Sequence, residues 1–215
     1  MTTDPSKPVF LSPLDRAFGR IGYWLEPLVP RSVTPNTITM IGFVGDLVAG
    51  VALYLAAQAP VWFVVAVVLI LLHMVADAVD GAVARVRGQT SKFGAFLDQM
   101  TDNFSFIALP LGIGLSGQAR MEILVFGIVM ILLHVILQYN WALLTARKVA
   151  PFFGSTDYEM TFIVMIVLVL LFPDVHLALG SLQLNIFEIV FALGAAGSFV
   201  DFCLSMRKLI NELRA

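Results

Sequence analysis

Charged residues are scarce in this chain. Only 13% of its 215 residues are Asp, Glu, Lys or Arg, whereas an average soluble domain has about 25%. A soluble fold with so few charges could not cover the apolar surface of a chain that is 59% hydrophobic, with a mean hydropathy of +0.91. The composition therefore excludes a water-soluble globular domain and predicts an integral-membrane protein.

Cysteine and clustered basic charge are also scarce. The single cysteine, Cys203, excludes an internal disulfide and a thiolate metal cluster. With a net charge of −2, the chain offers no excess of Lys and Arg for a phosphate backbone, so nucleic acid is disfavoured as a partner. The start of the chain, residues 1–8, has no basic-then-apolar pattern, and no cleaved signal peptide is predicted.

Several apolar stretches are long enough to cross a bilayer, which takes about 20 residues. The longest, 47–76, contains no Asp, Glu, Lys or Arg and is interrupted at 58–60, so it predicts parts of two helices. The predicted spans begin and end at about 35–57, 61–86, 91–116, 121–145, 156–172 and 184–206. Pro35, a good first-turn residue, follows the possible helix cap Thr34. Six spans place both termini on one side of the membrane.

Basic residues orient these spans. Of the 13 Lys and Arg residues, only Arg120 falls on the side opposite to the termini. Because Lys and Arg accumulate in cytoplasmic segments, we expect both termini and the loops after spans two and four in the cytoplasm. Before span one, apolar residues recur at helical spacing, which predicts an amphipathic helix on the cytoplasmic membrane surface. The alternative for this segment is a soluble linker.

The predicted fold class is an all-α membrane protein with six transmembrane helices after an N-terminal interfacial helix. Its expected parts are a cytoplasmic N-terminus with that helix (1–33), a transmembrane catalytic domain (34–206) and a cytoplasmic tail (207–215). In span six, small residues over 194–197 would permit close helix packing. They suggest a homodimer.

Four acidic residues mark a candidate site. Asp77 and Asp80 lie three residues apart at the end of span two, and Asp98 and Asp102 lie four apart at the start of span three, so each pair shares one helical face. A short turn around Gly88 joins the two spans, so we expect antiparallel neighbours whose acidic ends converge. Intramembrane charges are costly and mark functional sites. Four converging carboxylates favour a hard divalent cation, Mg²⁺ or Mn²⁺.

An arginine beside this cluster suggests its chemistry. Arg85 follows the first acidic pair, and a planar, permanently charged guanidinium is suited to a phosphate. Gly81 and Gly94 lie on the acidic faces and leave room for a ligand to approach the backbone. A divalent-cation site with a phosphate-binding arginine suggests phosphoryl transfer.

The sequence Asp77-Ala78-Val79-Asp80-Gly81-Ala82-Val83-Ala84-Arg85, followed by Gly94, Asp98 and Asp102 at fixed separations, resembles the signature of the CDP-alcohol phosphotransferase (CDP-alcohol phosphatidyltransferase) family. Every fixed position of that signature is filled. The segment 35–39 also resembles the family's entry into its first span.

This resemblance implies a reaction at the cytoplasmic leaflet in which an alcohol hydroxyl attacks a CDP-linked donor and CMP leaves. It implies that Asp77, Asp80 and Asp98 bind the metal, and that Asp102 lies near it and acts as the general base. It also implies a nucleotide and phosphate pocket, lined by Gly81, Arg85 and Gly94 with Asn36 and Thr39. The alternative for the last two is capping of span one.

The acceptor stays open. The resemblance allows CDP-diacylglycerol with a small alcohol, or a CDP-amino-alcohol with diacylglycerol. A phosphorylated acceptor would want a second cationic pocket. The candidates are Arg147 with Lys148, or Arg207 with Lys208, although positive-inside anchoring also explains both pairs. Asp157 and Glu159 could instead hold an amine.

Two other classes of protein remain as alternatives. A membrane prenyltransferase also gathers aspartates around Mg²⁺, but it would need two aspartate-rich motifs separated by several spans. A cation transporter would place its acids near mid-membrane. The acids of this chain lie close together in sequence, near the cytoplasmic ends of adjacent spans, which favours the phosphotransferase.

Overall fold

A computed structural model of the chain describes residues 12–145 and 155–214. These residues form seven α-helices: α1 (Pro13–Leu25), α2 (Pro35–Leu55), α3 (Val61–Val86), α4 (Lys92–Leu115), α5 (Met121–Thr145), α6 (Ser155–Leu171) and α7 (Ile186–Arg214). A short 3₁₀ helix (Glu26–Leu28) follows α1, and a hairpin of β1 (His176–Leu179) and β2 (Leu182–Asn185) precedes α7. The predicted all-α architecture is confirmed apart from this hairpin.

Side-chain caps explain where α2 and α4 begin. The Thr34 hydroxyl accepts a hydrogen bond from the Thr37 backbone N–H at 3.3 Å, and the Ser91 hydroxyl accepts one from Gly94 N–H at 2.9 Å. Each cap satisfies one of the backbone donors that a helix start leaves free. Gly88, with φ of +64°, makes the turn between α3 and α4, a backbone conformation that favours glycine. The predicted cap at Thr34 and the turn at Gly88 are therefore confirmed.

Four of the described helices, α2, α3, α5 and α7, are long and apolar enough to cross a membrane. The outer face of α2 shows the expected lipid-facing surface, because large apolar side chains there remain exposed, among them Ile41, Val44 and Val51. The chain is an integral-membrane protein. Helix α4 carries the polar acidic segment, and α6 has only 17 residues.

Helix α2 is the packing partner that α3 and α4 share, whereas α3 and α4 make few contacts with each other. Close approach to α4 depends on glycines: a Cβ on Gly112 would lie 2.1 Å from the Gly50 carbonyl oxygen. The main core fills the space between α2, α3, α4, α6 and α7, with Leu53, Ile70 and Phe162 fully buried. Helices α3 and α4, which carry the acidic residues, thus both pack on α2 with a gap between them.

The amphipathic segment before α2 folds into α1, which packs against α3. A capping box starts α1, in which Ser12 and Asp15 each accept a backbone hydrogen bond from the other at 3.1 Å. Gly22 permits the contact with α3, because a Cβ there would lie 2.1 Å from the Ala78 carbonyl oxygen. Trp24 and Leu28 stay exposed.

The opposite end of the bundle is closed by polar contacts between the α4–α5 loop and the start of α7. The Arg120 guanidinium donates to both carboxylate oxygens of Glu188, at 2.7 and 2.8 Å. This hydrogen bonding raises the pKa of Arg120 above its usual value. Asn185 donates to the Gln118 carbonyl at 2.7 Å and caps α7 by accepting from Glu188 N–H. The buried Glu188 carboxylate is thereby paired with a cation.

Candidate active site

Three of the four signature aspartates meet at one point between α3 and α4. Asp77, Asp98 and Asp102 each offer a carboxylate oxygen, and these oxygens lie within 4.8 Å of one another. Asp77 is within hydrogen-bonding reach of Asp98 and also interacts electrostatically with Asp80. The predicted convergence of the two acidic pairs is therefore observed.

Asp80 lies at the α2 side of this group. Its Oδ2 accepts a hydrogen bond from the Thr39 hydroxyl, whose oxygen also lies 3.2 Å from the Pro35 carbonyl oxygen. Thr39 therefore orients a signature carboxylate, instead of capping α2, which is the role of Thr34. The contact ties the acidic end of α3 to the first turn of α2.

The carboxylate cluster fits a divalent cation. Asp102 is only 9% exposed, and its Oδ1 is buried without a hydrogen-bond partner among the described residues. A buried charged oxygen without a partner is strongly destabilising. Three carboxylates converging on one point form the all-oxygen ligand set that Mg²⁺ and Mn²⁺ prefer. Asp77, Asp98 and Asp102 are thus able to hold such an ion, with Asp80 beside them.

Arg85 stands at the edge of the cluster and is held by α1. Its Nε donates to the Tyr23 hydroxyl at 2.9 Å, and its guanidinium carbon lies 5.6 Å from the centre of the Tyr23 ring. Gly81 leaves the space the guanidinium occupies, because a Cβ there would lie 3.0 Å from Arg85 Nη2. The side chain is therefore positioned, with nitrogen donors left for a ligand.

Asn36 and Gly94 lie close together across the α2–α4 side of the site. A Cβ on Gly94 would lie 3.2 Å from Asn36 Oδ1 and 3.2 Å from Ser91 Oγ. The absence of a side chain at Gly94 therefore leaves space next to the Asn36 amide, which can both donate and accept hydrogen bonds.

Comparison with known proteins decides the family. The sequence profile of the family described as CDP-alcohol phosphatidyltransferase matches residues 32–200. The chain belongs to this family. That range includes every signature residue of the carboxylate cluster.

This CDP-alcohol phosphatidyltransferase family member aligns with its first relatives over about half of its own length and about half of theirs. An archaetidylinositol phosphate synthase of Pyrococcus horikoshii is 37% identical over 117 residues, which is 54% of this chain and 56% of that protein. Phosphatidylinositol phosphate synthase of Mycobacterium tuberculosis has the same fold: its crystal structure with CDP-DAG bound superimposes with a TM-score of 0.65 at 18% identity, over 90% of this chain and 94% of that one. A second structure of that enzyme, in complex with manganese and citrate, matches with a TM-score of 0.65 at 18% identity, over 89% of this chain and 88% of that one.

The predicted acceptor residues Asp157 and Glu159 lie in the part of the chain that the structure describes. Arg147 and Lys148 lie outside the described residues. Asp157 is half-buried in the first turn of α6. Glu159 is buried and directed to His73, with 2.7 Å between its Oε1 and the histidine Nδ1. The acidic pair therefore does not form one surface toward an acceptor.

Two further polar residues lie near the cluster, of which Asn103 was not predicted from the sequence. Tyr139 of α5 is within hydrogen-bonding reach of Asn103 and interacts electrostatically with Asp98 and Asp102. Asn103 follows Asp102 directly, and its Oδ1 is buried without a hydrogen-bond partner in the described part of the chain. Its position directly after Asp102 was the signal in the sequence that could have identified Asn103 as a residue of the site. Together they place polar atoms on the α5 side of the site.

Arg87 was also missed as a positioning residue. Its guanidinium donates to the Glu26 carboxylate at 2.8 Å and to the Val29 and Pro30 carbonyls at 2.7 and 3.2 Å. It thereby fastens the segment between α1 and α2 to the end of α3, two residues after Arg85.

Proposed function

We propose that this chain is a membrane-embedded transferase that moves a phosphatidyl group from a CDP-linked lipid, most simply CDP-diacylglycerol, to an alcohol hydroxyl and releases CMP. The observation that carries the proposal is the convergence of Asp77, Asp98 and Asp102 around a buried, unpartnered carboxylate oxygen. Family membership and the CDP-DAG bound to the mycobacterial structure support the choice of donor.

The four aspartates are proposed to hold Mg²⁺ or Mn²⁺. When bound, the cation would neutralise the donor's diphosphate and the charge that develops in the transition state. Asp80 is kept in place for this purpose by Thr39. The manganese in the mycobacterial structure supports a divalent cation without selecting between the two metals.

Asp102 is proposed to be the general base. It would take the proton of the attacking hydroxyl while the hydroxyl oxygen bonds to the phosphorus of the lipid phosphate. The bond from that phosphorus to the bridging oxygen breaks, and CMP leaves with the electron pair. Asp102 suits this role because its Oδ1 is buried without a hydrogen-bond partner among the described residues, whereas Asp80 is bonded to Thr39.

The donor's nucleotide and phosphates are proposed to occupy the space between Arg85, Gly81, Asn36 and Gly94. Arg85 supplies charge-assisted hydrogen bonds to phosphate oxygens, and the glycines keep the backbone approachable. Tyr23 keeps the guanidinium oriented before the donor arrives.

The acceptor is an alcohol whose class the assay must identify. The names of the Pyrococcus and mycobacterial proteins favour a phosphorylated polyol. Such an acceptor would need a cationic contact, for which Arg147 and Lys148 remain the candidates. An amine acceptor held by Asp157 and Glu159 is less favoured, because Glu159 is buried against His73.

We also propose that α4 and α6 cross the membrane together with α2, α3, α5 and α7. This makes six spans, with both termini and the active site on the cytoplasmic side. The distribution of Lys and Arg supports this orientation. A homodimer through Gly194 and Gly197 remains a proposal. A Cβ on either glycine would meet nothing within 4 Å in the described residues, so this face is open.

The test is CMP release by the detergent-purified protein from CDP-diacylglycerol with Mg²⁺ or Mn²⁺. The acceptors are inositol phosphate, glycerol phosphate, serine, inositol and a blank, followed by CDP-choline or CDP-ethanolamine with diacylglycerol. We expect release with one acceptor, loss on addition of EDTA, and recovery with excess cation.

Asp102→Asn should reduce CMP release at least about 100-fold, as expected for loss of a general base, while binding of the CDP-linked donor persists. Asp174→Asn is the matched control, because this acid lies exposed in the loop before β1. Normal turnover in Asp102→Asn would refute the base assignment. If no donor and acceptor pair gave CMP release, the transferase proposal would be refuted and the prenyltransferase or transporter alternatives would be favoured.

A further inference from the structure

A second cluster of ionisable residues lies buried in the bundle, on the membrane-interior side of the aspartates. Asp46 of α2, His73 of α3 and Glu159 of α6 are 0, 3 and 2% exposed. Each offers a ligand atom, and these atoms lie within 4.8 Å of one another. His73 lies one helical turn before Asp77, so the two clusters are adjacent but use different residues.

One histidine nitrogen faces both carboxylates of this cluster. His73 Nδ1 is 2.7 Å from Glu159 Oε1 and 3.5 Å from Asp46 Oδ2. A single N–H makes one good hydrogen bond, and its short contact is with Glu159. If His73 donates its Nδ1 hydrogen to Glu159, no histidine hydrogen bond remains for the Asp46 carboxylate.

Asp46 is the unexplained member of the cluster. Neither of its oxygens has a hydrogen-bond partner among the residues that the structure describes. The nearby Ser105 hydroxyl donates to the Thr101 carbonyl at 3.1 Å. A charged Asp46 would have His73 Nδ1, 3.5 Å away and already bonded to Glu159, as its compensating group. A buried charge with so weak a partner is costly in a low-dielectric interior.

We propose that Asp46, His73 and Glu159 form a second divalent-cation site, distinct from the catalytic cluster. Two carboxylates and a neutral imidazole around a divalent cation have no net charge, which suits full burial. A ligand set with one nitrogen selects Zn²⁺ or Mn²⁺ over Mg²⁺, which prefers oxygen ligands only. The cation would give both Asp46 and Glu159 a partner and would join α2, α3 and α6.

The surroundings are consistent with a site built around the histidine. A Cβ on Gly42 would lie 3.0 Å from His73 Cδ2, so α2 presents a glycine where the imidazole ring lies. Glu159 and His73 also interact electrostatically with Asp102. A bound divalent cation would neutralise the carboxylates of Asp46 and Glu159, so that they would not add negative charge next to Asp102, the proposed base.

The test uses the nitrogen ligand, which the aspartate cluster lacks. The purified protein is first assayed for bound metals by elemental analysis, then stripped, loaded with Mn²⁺ and examined by pulsed electron paramagnetic resonance for coupling to a histidine ¹⁴N. We expect a cation with one nitrogen ligand in the wild type. The same signal should persist in an Asp98→Asn/Asp102→Asn variant, whose catalytic cluster is disabled.

His73→Gln should abolish the nitrogen coupling and lower the bound cation by one per chain. His134→Gln is the matched control, because this half-buried helix histidine pairs with Asp201 between α5 and α7, with 3.3 Å between its Nε2 and the Asp201 Oδ2. The nitrogen coupling should persist in this variant. If His73→Gln does not fold, Glu159→Gln takes its place, and the bound cation should again fall by one.

The proposal is overturned if the wild type, as purified and after loading, holds no cation with a nitrogen ligand. It is also overturned if the coupling survives His73→Gln, or if it disappears equally in His134→Gln. None of these readouts requires turnover, so failure of this proposal is separable from failure of the proposed transferase activity.

Discussion

Gly22→Ala tests whether α1 positions the active site. The added Cβ would lie 2.1 Å from the Ala78 carbonyl oxygen and 2.6 Å from its carbon. Ordinary contact needs about 3.5 Å, so α1 must move away from α3 by about 1 Å or more. Overpacking of this kind costs about 1–3 kcal/mol of unfolding free energy, and we expect a lower Tm.

The same displacement acts on Arg85 through its neighbour in α1. The Tyr23–Arg85 hydrogen bond is 2.9 Å long, so a shift of about 1 Å would break it. A released Arg85 must then be immobilised by the donor, which costs about 0.5–1.5 kcal/mol. That corresponds to a roughly 2- to 13-fold higher KM for CDP-diacylglycerol, with kcat nearly unchanged because the aspartates remain.

Initial rates of CMP release in mixed micelles measure both parameters. Gly45→Ala is the matched control, because it makes the same substitution in a helix where the added Cβ makes ordinary contacts, the nearest at 3.6 Å to the Leu69 carbonyl oxygen. Tyr23→Phe removes only the hydroxyl and should raise KM in the same direction. Wild-type KM in both Gly22→Ala and Tyr23→Phe would refute the idea that α1 orients Arg85.

Three further substitutions test how the helices are held together. Gly112→Ala would place its Cβ 2.1 Å from the Gly50 carbonyl oxygen; a Tm no lower than that of Gly45→Ala would contradict the close α2–α4 contact. Arg120→Ala should lower the denaturant midpoint in chemical denaturation, because it leaves the buried Glu188 without its charged partner. Arg87→Lys should also lower the Tm, since an ammonium group lacks the planar fork that reaches Glu26 and the neighbouring carbonyls.

Much of the fold could be predicted from the sequence because helices in a membrane are encoded locally. The predicted helices over 61–86 and 121–145 agree with α3 and α5 to the residue, and Thr34 caps α2 as expected. The hairpin before α7 was missed, and the last span was predicted from 184 instead of Ile186. Alternating residues around Gly180, whose φ is +64°, carried a turn signal that the apolar composition obscured.

The candidate site was predictable where its residues follow one another at helical spacing. Asp77 and Asp80, or Asp98 and Asp102, share a face by periodicity alone, and one short turn brings the pairs together. Contacts between distant segments have no such local rule. His73 and Glu159 are 86 residues apart, and Tyr23 is 62 residues from Arg85, so only the packing of the helices reveals them.

The gap between α3 and α4 has a consequence for the stability of the protein. Both helices rest on α2 and make few contacts with each other, while the acids that face across the gap repel when charged. A cation held by Asp77 and Asp98 would be the attraction that joins them, so binding and folding are thermodynamically linked. At a free Mn²⁺ concentration 100 times the Kd, such linkage contributes about 2.7 kcal/mol. The Tm should then rise with Mn²⁺ in the absence of any substrate. The same ion would serve as the cofactor of the proposed reaction and as the ligand that links α3 to α4.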